Sequence, residues 1–211
     1  MSESKDLLEY DLNDGKYLVT LARKSILHYL TFRKLLPIPR DTSPKLREES
    51  GVFVTLNKLE NNKNKSLRGC IGFPLPIYPL AQATIEAAKS AAVGDPRFPT
   101  VEIDEMKKII IEVTILTKPR KLIVNDSKEY LDLIKIGRDG LIIRKGGWSG
   151  LLLPQVPVEW KWDVKEFLEH TCNKAGLQKD CWKEKETSIE SFSGIIYHEI
   201  EPNGKVEYEE I

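Results

Sequence analysis

From Asp14 onward, apolar residues recur at steps of three and four, at Leu18, Leu21, Ala22, Ile26, Tyr29 and Leu30. That spacing predicts a helix with one buried stripe, ending before Pro37. The proline- and charge-rich stretch 37–50 reads as an exposed connector. GVFVTLNKL (51–59) is apolar and β-branched, ENNKNKS (60–66) is polar, and LRGCIG (67–72) follows. This order predicts a β-hairpin with a long tip, Cys70 lying near the end of its second strand. The alanine-rich segment 79–94 predicts a helix closed by Gly94 in a left-handed cap.

KIIIEVTILT (108–117) alternates cleanly, with Ile109, Ile111, Val113 and Ile115 on one face and Glu112 as the single charge on the other. SKEYLDLI (127–134) reads as a short helix, and GLIIR (140–144) and GLLLPQV (150–156) as strands around the turn KGGWSG. Asp163 is placed to cap a helix whose stripe is Val164, Phe167, Leu168, Cys172 and Ala175, with Gly176 closing it. A last strand is expected over 192–200 and a polar tail over 201–211. The hairpins argue for antiparallel sheet, so the predicted class is α+β with packed helices, a single domain over 10–200 with room for two subdomains.

Charge narrows the partners. The 211 residues carry 32 Lys plus Arg and 32 Asp plus Glu, leaving no global field to gather nucleic acid or an anionic membrane. Apolar runs fall well short of the ~18 residues that span a bilayer, and the N-terminus lacks a cationic start before an apolar block, so a cytoplasmic location is expected. The three cysteines, Cys70, Cys172 and Cys181, have no CxxC spacing, and free thiols are expected. His28, His170 and His198 form no HxH or HExxH pair, so no metal site is expected. RKGGWSG lacks both the dinucleotide and the P-loop patterns, and the cofactor stays unknown.

Candidate chemistry centres on LRGCIG. Side chains two apart on a strand share a face, which would set Arg68 beside Cys70, and a guanidinium near a thiol favours the reactive thiolate. Gly69 and Gly72 would allow close approach of a ligand or another backbone. The plainer alternative is that Cys70 is a small hydrophobe packed in a tight sheet. In GDPRFP (94–99), Arg97 could hold a carboxylate or phosphate, or pair with Asp95 to fix the turn. Gln155 and Glu159, after Pro154, are either polar site groups or plain loop residues.

LRGCIGFP (67–74), AAVGDPRFP (91–99), IEVTIL (111–116), GLIIRKGGWSGLLLPQV (140–156) and FLEHTCNKAGL (167–177), taken in this order, resemble the AMMECR domain family, whose hallmark is LRGCIG. The resemblance spans about residues 10 to 200. It implies an α+β domain with antiparallel sheet, a larger and a smaller subdomain, and the hallmark near the cleft between them. It also implies functional roles for Arg68, Gly69, Cys70 and Gly72, while Phe73-Pro74 departs from the family's pattern at the strand exit. Roles in transcription, replication, repair or translation have been proposed for the family, and members are linked to Memo-like and radical S-adenosylmethionine proteins.

Two expectations follow. One is an enzyme or enzyme component with Cys70 as the reactive group, Arg68 and Arg97 holding an anionic part of a small-molecule substrate, and Glu112 or Glu159 transferring protons. The other is a protein- or peptide-binding module in which the glycine-flanked strand docks its partner through backbone groups.

Overall fold

The structure is a computed structural model and describes residues 10–60 and 64–210. In chain order the main elements are α1 (Leu12–Phe32), β1 (Gly51–Leu59), β2 (Lys65–Phe73), α2 (Leu80–Val93), β3 (Ile109–Leu116), β4 (Arg120–Lys121), α3 (Tyr130–Leu133), β5 (Gly140–Lys145), β6 (Trp148–Leu152), α4 (Gln155–Trp160), α5 (Val164–Lys174), β7 (Ser188–Phe192), β8 (Gly194–Glu199) and β9 (Val206–Glu210). The fold is α+β, with two antiparallel sheets. The chain divides into two compact units, the first running to Leu116 and resuming over Ile195–Glu209, the second covering Thr117–Gly194.

In the first unit the strand order is β2-β1-β3-β8-β9. One face of this sheet packs on α1 and α2. Leu18, Ala22 and Ile26 of α1, Ala81, Ala88 and Ala91 of α2, and Ile109, Ile111, Val113 and Ile115 of β3 are buried together there. The small side chains of α2 let the helix settle close to the sheet. A Cβ on Gly69 would lie 2.2 Å from the Ala91 carbonyl oxygen, so only glycine fits at that crossing.

Helix α1 begins at a capping box between Asp11 and Asp14 and ends at Arg33, which is left-handed, four residues before Pro37. The connector 37–50 is less exposed than its composition suggests. A 3-10 turn at Pro44–Arg47 inserts Leu46 into the core, and Thr42 is buried against the Tyr17 hydroxyl at 2.5 Å. Gly94 is not left-handed; with φ −130° it closes α2 by donating its N–H to the Ser90 carbonyl at 2.7 Å. Strand β2 starts at Lys65, earlier than the hairpin tip allowed for, and residues 61–63 of that tip lie outside the described residues.

In the second unit the order is β4-β7-β5-β6, and Leu141, Ile143 and Ile189 of the sheet pack on Phe167 and Leu168 of α5 and on Trp182. Asp163 caps α5 as expected, through a capping box with Glu166. Three local readings are corrected here. The strand expected over 150–156 stops at Leu152, and Pro154 opens α4, as a proline can at a helix start. The strand expected over 192–200 is two, broken at Ser193, and the expected tail carries β9, paired at the sheet edge of the first unit.

The cysteine expectation is corrected as well. Cys172 and Cys181 form a disulfide across nine residues, with Cα atoms 6.1 Å apart. The turn after α5 folds Cys181 back beside the last helical turn, a return that no spacing rule for cysteines encodes. Cys70 is the free cysteine. Among the described residues no helix is long and apolar enough to cross a membrane.

Candidate functional site

Cys70 sits on β2, the edge strand of the larger sheet, opposite Thr55 on β1, and Thr55 is in turn opposite Glu112 on β3. The alternation that sends Ile111 and Val113 into the core turns Glu112 to the other face of the sheet. All three side chains are half-buried. Cys70 directs its own N–H and carbonyl away from β1, so the Cys70–Thr55 pair belongs to the closer, non-hydrogen-bonded type. Thr55 Oγ1 donates to Cys70 Sγ at 3.3 Å, and Glu112 faces Thr55 from the next strand. Three adjacent strands thus align a thiol, a hydroxyl and a carboxyl in one row.

Electrostatics distinguish this row from an activated thiolate. Burial pushes the Cys70 thiol up, against the opposing pull of the Thr55 hydrogen bond and the Arg97 charge. Burial also raises the Glu112 carboxyl. Each ionisation is disfavoured in the half-buried site, and the Glu112 charge adds to that of burial at the thiol. The charges acting on the thiol are those of Arg97, Glu112 and Asp95 rather than that of Arg68.

Arg68 is engaged elsewhere. The register of β1 and β2 shifts between Leu56 and Asn57, where Arg68 is the extra residue of a β-bulge. The bulge interrupts the two-residue alternation, and the guanidinium turns to Glu105, donating from Nε at 3.1 Å and from Nη2 at 2.9 Å. Nη1 also reaches the Pro99 carbonyl at 2.8 Å. Arg68 therefore ties β2 to the 3-10 turn Ile103–Lys107.

Arg97 is the cation that acts on the thiol. Asp95, buried after α2, accepts the Cys70 N–H at 2.9 Å and two hydrogen bonds from the Arg97 guanidinium, at 3.0 and 2.7 Å. These bonds, led by that from Arg97, hold the Asp95 carboxyl well below the usual carboxylate range. Arg97 Nη2 also donates to the Cys70 carbonyl at 3.3 Å. Both outward backbone groups of Cys70 are thus covered by side chains of the GDPRFP loop, which protects this part of the sheet edge. The Arg97 side chain is 55% exposed and lies over the Phe98 ring, and its Nη1 has no hydrogen-bond partner among the described residues.

The remaining expected residues have other settings. The space beside Gly69 is filled by Ala91, and that beside Gly72 by the Val52 carbonyl and the Phe53 ring, so both serve close packing within the unit. Gln155 and Glu159 are exposed on α4, in the second unit. His198, read from sequence only as one of three scattered histidines, lies on β8 beside β3, and its charge acts on Glu112. The signal available for it was the alternation of β8, where Tyr197 and Glu199 are buried and His198 falls between them. Among the described residues no group of three or more His, Cys, Asp or Glu is arranged to hold a metal ion.

Fold and hallmark together define an α+β protein with a single free thiol at the edge of its larger sheet. The chain belongs to the AMMECR1 family, whose model matches residues 19–197. It is 53% identical over 192 residues to protein PH0010 of Pyrococcus horikoshii, covering 91% of this chain and 93% of that protein. Protein MJ0810 of Methanocaldococcus jannaschii is 50% identical over 196 residues, covering 92% of this chain and 94% of that one. The crystal structure of PH0010 superimposes with a TM-score of 0.79 at 49% identity, covering 97% of this chain and all of the other.

Proposed function

We propose that the first unit carries a thiol-dependent enzyme site in which Cys70 is the nucleophile, Thr55 relays its proton and Glu112 receives it. The observation that carries this reading is the alignment of Cys70, Thr55 and Glu112 on three adjacent strands, with Thr55 bonded to the thiol. For the relay the Thr55 hydroxyl turns from Cys70 Sγ toward the Glu112 carboxylate; as the sulfur then attacks an electrophilic carbon of a substrate, the thiol proton passes to Thr55 Oγ1 while the Thr55 proton passes to Glu112. Glu112 returns a proton when the leaving group departs. A carboxyl raised by burial is a stronger base than an exposed one, which suits it to accept from a thiol that burial has also raised. The unpartnered Nη1 of Arg97 is available to a carboxylate or phosphate on the substrate.

The peptide-binding reading has less support. Strand addition needs free backbone groups at the edge, and those of Cys70 are already engaged by Asp95 and Arg97.

The test is the rate of Cys70 alkylation by iodoacetamide against pH, in the native chain with its disulfide intact. Reaction in the folded state, slowed at least severalfold by Thr55→Val and by Glu112→Gln, supports the relay. A thiol that reacts only on unfolding, or at a rate indifferent to both substitutions, sinks it.

A further inference from the structure

Resting on that reading, we infer that His198 is a positioning residue for the site, holding the Glu112 carboxylate from the side opposite Thr55 and setting when it can accept the thiol proton. The row of polar side chains then extends over a fourth strand, as Cys70, Thr55, Glu112 and His198 on β2, β1, β3 and β8.

The placement follows from the strand's own constraints. Ile195, Tyr197 and Glu199 of β8 face the helices and are buried, so His198 is turned to the face that carries Glu112. Its level along the sheet is fixed by its neighbour. Glu199 accepts the Ile111 N–H at 2.9 Å and is gripped by Arg23, from Nε at 2.8 Å and Nη2 at 2.5 Å. Arg23 in turn donates to the Met106 and Ile109 carbonyls at 3.0 and 2.5 Å. These bonds hold β8 against β3 at its Glu199 end, and the Thr117 N–H donates to the Ser193 carbonyl at 2.8 Å at the other, so the antiparallel strand runs His198 alongside Glu112. A one-residue slip would send His198 into the core.

The charges around the carboxylate come from every adjoining strand. Lys65 of β2 and His198 of β8 favour the ionised carboxylate, Glu209 of β9 opposes it, and Glu207 of β9 also interacts with His198. Glu112 in turn disfavours the charged form of Cys70. Removing the His198 side chain takes away one of the two groups that favour the carboxylate, and the relay's acceptor then ionises only at higher pH.

The experiment follows the Glu112 side-chain carboxyl by carbon NMR across pH in the wild-type chain, in His198→Gln and in His198→Lys, with iodoacetamide profiles of Cys70 beside it. His198→Gln is expected to move the Glu112 midpoint up and to slow alkylation on the acid limb by about threefold, the change that half a pH unit makes. His198→Lys, which keeps a cation, is expected to leave the midpoint at or below its wild-type value and to retain the rate. A Glu112 midpoint unmoved by either substitution overturns the inference even where Cys70 reacts normally. A midpoint that moves as expected while Cys70 stays inert leaves the His198–Glu112 coupling standing and overturns the enzyme reading instead. Should His198→Gln fail to fold, His198→Lys decides alone, a midpoint above wild type counting against the inference.

Discussion

Asp95 holds Cys70 by the backbone: its Oδ2 accepts the Cys70 N–H at 2.9 Å while both of its oxygens are gripped by Arg97. The strand that presents the thiol is therefore fixed from outside the sheet by a loop 25 residues further along the chain. Replacing Asp95 by Ala strands a backbone donor and frees the Arg97 guanidinium. A loss on the order of 2 kcal/mol in denaturant unfolding is expected, the scale of a hydrogen bond to a charged group. The Asp95 carboxyl is lowered in the folded chain, so its contribution is complete above the ordinary aspartate value of about 3.9 and fades as pH falls below it. In Asp95→Ala the unfolding free energy should accordingly depend less on pH in that acid range than it does in the wild type.

Glu112 works in the opposite sense. Its carboxyl is raised by burial, so the folded chain binds a proton there more tightly than the unfolded chain does. The contribution is full below the ordinary glutamate value of about 4.3 and is lost as pH rises through the raised one. Glu112→Gln should flatten the pH dependence of stability in that window and leave the protein at least as stable at neutral pH, while alkylation of Cys70 slows. Equal pH dependence in the two proteins would place the ionised carboxylate in an environment as favourable as water.

Gly69 sets the distance between α2 and the sheet. An alanine Cβ there would sit 2.2 Å from the Ala91 carbonyl oxygen, a backbone atom with no side-chain torsion to turn it aside. Gly69→Ala should cost about 1–3 kcal/mol, as overpacking does. Thermal unfolding measures it, and an unchanged midpoint would mean that α2 shifts without penalty.

Arg23 and Glu199 are a buried ion pair with all its partners in place. Removing one member leaves an uncompensated charge, so Arg23→Met is expected to destabilise by about 3–5 kcal/mol. The double variant Arg23→Met with Glu199→Gln should recover part of that loss. A double-mutant cycle in denaturant checks both, and additive losses would deny the pairing any coupling.

Much of this architecture follows from local rules. The two-residue alternation of 109–116, the capping residue Asp163 and the β-branched run 51–59 each act within a few residues, and the elements they predict are present. The hairpin pattern of 51–72 likewise put Cys70 on a strand, and the Asp95–Arg97 pairing was one of the two readings that GDPRFP offered. Arg68 escaped the same reasoning because a bulge breaks the alternation on which its placement beside Cys70 depended.

What the sequence by itself determined is which segments become strands and helices and that Cys70 lies on one of the strands, since periodicity, caps and turns are set by near neighbours. Only the tertiary structure decided that Thr55 and Glu112 are the residues beside that thiol, that the strand carrying His198 lies next to that of Glu112, and that Cys172 closes on Cys181. Those neighbours come from strand register and chain reversal. Register is chosen by the packing of a whole sheet face on its helices, a sum over distant residues that no short stretch of sequence contains.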